Sequence, residues 1–218
     1  MMNPRIFCTV LCLGFLAACQ SLPGEPGPGK EDGVVAVGCA ECEVAKLGHG
    51  WCDQCEVGYV AGLRIESPLL YEAAHTHGHP MDPAEMQCES CRAAMAGDGR
   101  CEQCDIGWVD NEAHFTTLSY QVAKGRTRDI DELTCPRCHQ NGHSFGWCEE
   151  CARGMVGNVE ILDRGDYEKS VEAFQKLLLA RQEVDRCEVC AVAICNDGKC
   201  MRCNIEYRGG RPFLGDSP

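Results

Sequence analysis

"CESCRAAMAGDGRCEQCDIGW", residues 88–108, decides how the rest of the chain is read. It carries two Cys-x-x-Cys pairs, Cys88/Cys91 and Cys101/Cys104, with nine residues between Cys91 and Cys101. Four thiols so placed can hold a metal, form disulfides or carry redox chemistry. Recurrence weighs among these. The same Cys-x2-Cys-x9-Cys-x2-Cys spacing returns in "CAECEVAKLGHGWCDQC" (39–55), "CPRCHQNGHSFGWCEEC" (135–151) and "CEVCAVAICNDGKCMRC" (187–203). The gap inside a unit is always nine residues, whereas the gaps between units are 32, 30 and 35. A fixed inner gap brings the two pairs of one unit to a common site, and the variable gaps behave as connectors.

Two further features repeat. A glycine stands two residues before the third cysteine of every unit: Gly50, Gly99, Gly146 and Gly198. Glycine there permits a positive φ as the chain turns into the second pair. Four residues after the last cysteine stands a large side chain, Tyr59, Trp108, Met155 or Tyr207, which can lid the site. Three units also carry Gly58, Gly107 or Gly154 three residues after the last cysteine, while the fourth has Glu206 and is expected to turn more loosely.

Thiolate is a soft ligand suited to zinc, and four at tetrahedral positions make a closed structural site. The candidate metal ligands are Cys39, Cys42, Cys52 and Cys55; Cys88, Cys91, Cys101 and Cys104; Cys135, Cys138, Cys148 and Cys151; and Cys187, Cys190, Cys200 and Cys203. These 17-residue units resemble zinc ribbons in their paired knuckles, and the resemblance implies about four structural zinc ions. Structural zinc contributes roughly 10–16 kcal/mol in small peptides. With aromatics at only 6% of the chain, units of this size cannot obtain that from burial alone. Disulfides between the pairs of one unit are the main rival, and iron in the same four-thiolate site is another. A bridge inside one Cys-x-x-Cys would close too small a loop to stabilise much.

Within the units, "EVAKLG", "RAAMAG" and "AVAICN" read as one or two helical turns or a tight apolar loop, whereas "HQNGHSFG" in the third does not. The connectors read as a short strand followed by a helix. Ser67 caps the first, which Pro68 opens, with Leu69, Leu70 and Ala73 inward. "TTLSYQVAKG" is similar and closes at Gly125. The third is the clearest, with Val171, Phe174, Leu177 and Leu178 on one stripe. The fold class expected is α+β: a tandem array of small zinc-ribbon-like four-cysteine units, built on short β-hairpins and joined by strand-helix connectors. The segments are 1–18, a signal; 19–38, a tether; and repeats at 39–86, 87–133, 134–185 and 186–218.

The start, "MMNPRIFCTVLCLGFLAACQS", has Arg5, an apolar run from Ile6 to Leu16 and then small residues. It reads as a secretory signal, too short to span a bilayer. Leu16-Ala17-Ala18-Cys19 resembles the lipobox of bacterial lipoproteins, which implies cleavage before Cys19 and a diacylglyceryl group (with palmitate-type acyl chains) on its sulfur. Gln20 is not the retaining aspartate of that family, which points to the outer membrane where there is one. "QSLPGEPGPGKEDG" follows as an extended tether. Export favours disulfides in general, and the repeat spacing argues for metal.

The formal charge is −13, and removing residues 1–18 takes away only Arg5 and leaves −14. Nucleic-acid binders are basic along the contact face, so no nucleic acid is expected. Membrane attachment should come from the lipid anchor.

Several residues stand apart from the repeat. "CPRCH" (135–139) matches a haem-attachment pattern, but Cys135 and Cys138 occupy the register shared with units that lack His139. Cys195 is the odd cysteine of the repeat region and reads as an apolar packer. His75, His77 and His79 alternate in "HTHGHP" and could share a second, exposed metal. His49 and His143 lie near the cysteines as candidate supporting groups. Cys-x-x-Cys redox enzymes place the motif at a helix start in a βαβ unit, a context the sequence does not suggest. No catalytic set stands out. The expectation is a non-enzymatic, lipid-anchored scaffold for a protein partner, with zinc or copper storage or sensing as the alternative. Electron transfer through iron or c-type haem ranks third.

Overall fold

The computed structural model describes residues 39–74 and 77–213. The signal, lipobox and tether readings, and His75, lie outside these residues. Each repeat opens with a helix, continues as a three-stranded antiparallel sheet, and in the first three cases closes with a second helix. Repeat 1 comprises α1 (Ala40–Gly48), β1 (Trp51–Cys52), β2 (Val57–Val60), β3 (Leu63–Ile65) and α2 (Pro68–Ala73). The connector then supplies β4 (His79–Pro80). Repeat 2 follows with α3 (Glu89–Ala96), β5 (Arg100–Cys101), β6 (Ile106–Val109), β7 (Glu112–His114) and α4 (Thr117–Ala123). Repeat 3 has α5 (Pro136–Gly142), β8 (Phe145–Cys148), β9 (Arg153–Val156), β10 (Val159–Ile161) and the 20-residue α6 (Arg164–Glu183). Repeat 4 has α7 (Glu188–Cys195), β11 (Lys199–Cys200), β12 (Ile205–Arg208) and β13 (Arg211–Phe213).

The α+β class and the four repeated four-cysteine units are as expected from sequence. "HQNGHSFG" departs from expectation, because helix α5 covers its first half. Pro136 is preset for the first helical position, and Cys135 stands as N-cap, so poor helix formers are carried by the local geometry. Ser67 caps α2 by accepting the Leu70 N–H at 3.1 Å. Leu70 is fully buried but Leu69 points to solvent, against the sequence reading. Gly125 closes α4 at φ +68°. In α6, Phe174 and Leu177 are buried and Val171 and Leu178 half-buried, as the apolar stripe requires.

The glycines two before each third cysteine are not the left-handed residues. That conformation belongs to the residue before them: His49 (φ 54°), Asp98 (φ 48°) and Asp197 (φ 48°). The helix ends there in a Schellman arrangement. Gly50, Gly99 and Gly198 each donate an N–H to the carbonyl five residues back, Ala45, Ala94 and Ala193, at 2.8 Å. The carbonyl of the same glycine accepts the N–H of Tyr59, Trp108 or Tyr207, so helix, glycine and lid residue are tied together. In repeat 3 the Asn141 side chain lies over Gly146 instead.

The four repeats belong to one compact unit. A shared core joins Val60, Ile65 and Leu70 of repeat 1, Val156, Val159 and Ile161 of repeat 3, Phe174, Leu177 and Ala180 of α6, and Ala191 and Ile194 of repeat 4. Repeat 2 keeps a smaller core of its own, with Met86, Met95, Trp108 and Ala113 around Cys91 and Cys101. It also reaches the shared core, through Leu118 and Val122 of α4, and is tied to α6 by polar contacts: Arg100 pairs with Asp166 at 3.0 Å, and Gln121 donates to the other oxygen of Asp166 at 3.0 Å.

Repeats 1 and 3 meet turn against turn. Asn158 donates its backbone N–H to the Ala61 carbonyl and its side-chain amide to the Lys46 carbonyl at 3.0 Å. Gly157 has φ +54°, and a Cβ there would be driven into the Ala61 carbonyl, so only glycine fits.

Candidate metal centres

The first Cys-x-x-Cys of every repeat lies at a helix N-terminus. Cys39, Cys88, Cys135 and Cys187 are the N-caps of α1, α3, α5 and α7, and the second cysteine falls one turn in. An N-cap sulfur can accept an otherwise unpaired backbone N–H, and the helix dipole favours negative charge there. Cys88 Sγ accepts the Cys91 N–H at 3.4 Å. In each repeat the backbone N–H of the second cysteine lowers the pKa of the first: to about 7 for Cys88, Cys135 and Cys187, and in the same direction for Cys39. The sequence reading missed this helix-start context. The βαβ crossover of thiol redox enzymes is nevertheless not formed, since every pairing among the described strands is antiparallel.

The second pair sits on the hairpin that follows. Cys52, Cys101, Cys148 and Cys200 end the first strand of each sheet, and the fourth cysteine lies in the turn beyond. The residue after that cysteine is left-handed in all four repeats: Glu56 (52°), Asp105 (58°), Ala152 (48°) and Asn204 (57°). This bend lets the turn fold back under the sulfurs, and Cys203 N–H donates to Cys200 Sγ at 3.2 Å. No glycine marks these positions, so the sequence carried only a weak signal from Asp105 and Asn204.

Helix and hairpin bring the sixteen predicted cysteines into four sets. Within each, the sulfurs all lie within 4.8 Å of one another. First and third sulfurs are 3.7 Å apart in repeat 1 (Cys39, Cys52), 3.9 Å in repeat 2 (Cys88, Cys101), 3.8 Å in repeat 3 (Cys135, Cys148) and 3.9 Å in repeat 4 (Cys187, Cys200). A tetrahedral ion with metal–sulfur bonds of about 2.3 Å has sulfur–sulfur edges of about 3.8 Å. A disulfide brings two sulfurs to about 2.05 Å. All seventeen described cysteines are free thiols. The four sets can hold metal ions.

The remaining sulfurs show what metal binding would have to displace. Burial pushes the thiols of Cys52, Cys91 and Cys138 well up, and that of Cys190 up to about 12. In each set the N-cap thiol is thus the easier to ionise, and it lies beside a buried thiol that binding of a cation would have to deprotonate.

The lid residues are buried as read from sequence: Tyr59, Trp108, Met155 and Tyr207 each pack with the second and third cysteine of their own set. The neighbouring thiols of Cys42 and Cys190 raise the phenol pKa of Tyr59 and Tyr207, in Tyr59 after the larger effect of burial.

The strand glycines have a different role from the one expected. Gly58, Gly107 and Gly154 lie in β2, β6 and β9, outside the positive-φ region. A Cβ on any of them would enter the ring of Tyr71, Tyr120 or Tyr167, contributed by the helix that closes the same repeat. Tyr71 and Tyr120 then donate to the carbonyls of His49 and Asp98 at 2.9 and 3.1 Å. Glu206 takes this place in repeat 4, where no such ring lies among the described residues.

His49 does not serve the cysteines. Its buried ring accepts the Ala61 N–H on Nδ1 at 2.8 Å and meets Thr127 Oγ1 through Nε2 at 2.8 Å. Asp98 and Asp197 accept the Asp110 and Gly210 N–H groups in the same way, so this position anchors the hairpin turn. His143 stacks edge-on to His139, which is exposed on α5. Cys195 is half-buried, and burial raises its thiol to about 11. His77 and His79 lie next to each other, with ring centres 4.7 Å apart. Among the described residues, no helix is long and apolar enough to cross a membrane.

No family model, curated protein or solved structure matches the chain. The metal reading therefore rests on repeat spacing and sulfur geometry alone.

Proposed function

We propose that the chain is an exported, lipid-anchored envelope protein in which four four-cysteine sites hold structural zinc, and that the acidic array so formed is a non-enzymatic scaffold for a protein partner. The observation that carries this reading is the sulfur geometry: four sets with first-to-third spacings of 3.7–3.9 Å, each under its own lid. Four sulfur ligands fill a tetrahedral ion and leave no position for substrate, which favours a structural over a catalytic ion. Zinc supplies four bonds without redox chemistry. The N-cap amides and the phenols of Tyr59 and Tyr207 offset the charge of the sulfurs.

The anchor rests on the sequence around Cys19, and the net charge of −13 supports a protein rather than a nucleic-acid partner. Metabolic labelling with a fatty acid tests the anchor. The protein should take up label and sediment with membranes, and Cys19→Ala should do neither. Label retained in that variant would overturn the lipid assignment. A chelator tests the structural role of the metal. Removal of all four ions with no loss of helix or sheet signal would contradict it.

A further inference from the structure

Away from the cysteine sets, a cavity of about 430 Å³ opens where repeat 1, repeat 3 and α6 meet. Small-ligand pockets span roughly 300–1,000 Å³. The floor is the joint between the two hairpin turns, where Ala61, Gly157 and Asn158 are buried. The Asn158 amide, bonded to the Lys46 carbonyl at 3.0 Å, holds the end of α1 against this floor. The walls are apolar. Phe174 and Leu178, one turn apart on α6, stand with Leu63 and Ile130; Phe174 is buried and the other three half-buried. Charge is kept to the rim, where Lys46 is half-buried and Glu43 and Asp129 are exposed. Arg128 also lines the cavity, but it is engaged by Glu160 at 2.5 Å, and Asp131 lies 4.0 Å from the His139 ring. Lys46 and Glu43 are three residues apart on α1, a spacing that allows an ion pair, yet they form none with each other or with any other described residue. Asp129 uses one oxygen, on the Asp131 N–H at 3.0 Å, and keeps the other.

We propose that this cavity binds a small zwitterion with an apolar body, as presented by a free apolar α-amino acid or a dipeptide. Lys46 takes the carboxylate, Glu43 and Asp129 take the ammonium group, and the apolar side chain lies against Phe174, Leu178, Leu63 and Ile130. A simple anion would meet the rim carboxylates, and a simple cation would meet Lys46. A neutral apolar molecule would leave both unpaired charges unused. Only a ligand carrying both signs satisfies the rim while its body covers the walls. The ligand would touch repeat 1, the connector after repeat 2, and α6 at once, so it would brace the joint between them. It uses none of the thiols and stands or falls separately from the structural zinc.

The test titrates L-phenylalanine and L-leucyl-L-leucine into the full mature chain, followed by calorimetry and by backbone amide signals in NMR. At least one should bind as a single equivalent and shift the signals of Gly62, Ile130 and Leu178; which one does so separates amino acid from dipeptide. The N-acetyl and C-terminal amide derivatives of the same compounds each lack one charge and should bind roughly tenfold or more weakly. Lys46→Met should abolish the preference for a free carboxylate. Glu43→Gln/Asp129→Asn should abolish the preference for a free ammonium group. These positions lie on the rim, so both variants should keep the parent's amide spectrum elsewhere and its metal content. No shift at the cavity with either zwitterion, or equal binding of the blocked derivatives, would overturn the site.

Discussion

Gly107 lies directly beneath the ring of Tyr120, with no room between them for a methyl group. The same pairing joins Gly58 to Tyr71 and Gly154 to Tyr167. Gly107→Ala should push the Tyr120 ring outward, break its 3.1 Å bond to the Asp98 carbonyl and loosen α4. Overpacking of this kind costs about 1–3 kcal/mol. Denaturant unfolding of the metal-loaded protein should show that loss, while Glu206→Gly in repeat 4 should change stability far less. Equal stability of Gly107→Ala and the parent would remove the explanation for the repeated glycine.

Access to solvent separates the four centres. Cys104 and Cys203 are exposed, whereas every ligand of repeats 1 and 3 is buried or half-buried. An alkylating agent applied with a mild chelator should mark Cys104 and Cys203 first. Mass spectrometry of the labelled peptides reads the order. Earlier labelling at repeats 1 and 3 would contradict the burial pattern.

The cores predict how far damage at one centre spreads. Cys190 and Cys200 belong to the shared core, which repeat 2 joins only through Leu118 and Val122, whereas Cys91 and Cys101 sit in the smaller core of repeat 2. Hydrogen exchange should therefore find that Cys91→Ser loses protection within repeat 2 only. Cys190→Ser should lower protection in α6 and in repeats 1 and 3 as well.

His49 gives the fold an acid-sensitive joint. Burial lowers its pKa from 6.5 to about 4, so the folded state holds it neutral. The unfolded chain takes up a proton first, and stability is lost as pH falls from about 6.5 toward 4. The full contribution is roughly 3 kcal/mol. Acid also strips thiolate-bound metal, so the informative quantity is a difference. His49→Asn keeps an acceptor for the Ala61 N–H and tolerates the left-handed backbone. Its stability relative to the parent should improve as the pH is lowered through that window, and a constant difference would exclude the titration of His49.

The cysteine spacing, the lids and the Ser67 cap were legible because each is set by neighbours a few residues away. The glycines were seen but misread. Gly58, Gly107 and Gly154 answer to a tyrosine on a following helix, 13 residues on in each case, and nothing local marks the pair. His49 is close to the thiols in sequence and reads as their neighbour, whereas its ring is spent on Ala61 and on Thr127, 78 residues away. Helix α5 was missed because "HQNG" is poor helix sequence, and its start is fixed by Cys135 and Pro136. The docking of repeat 1 on repeat 3 through Gly157 and Asn158 left no trace in the spacing at all.

The most direct measurement is the metal content of the purified mature protein, taken with its free-thiol count and absorption spectrum. The account predicts four zinc ions bound through thiolates, with no visible absorption. Once the metal is removed under denaturing conditions, the sixteen repeat cysteines and Cys195 should all react as free thiols. Metal-free protein with those cysteines unreactive would mean disulfides in place of metal centres, and would contradict the central claim.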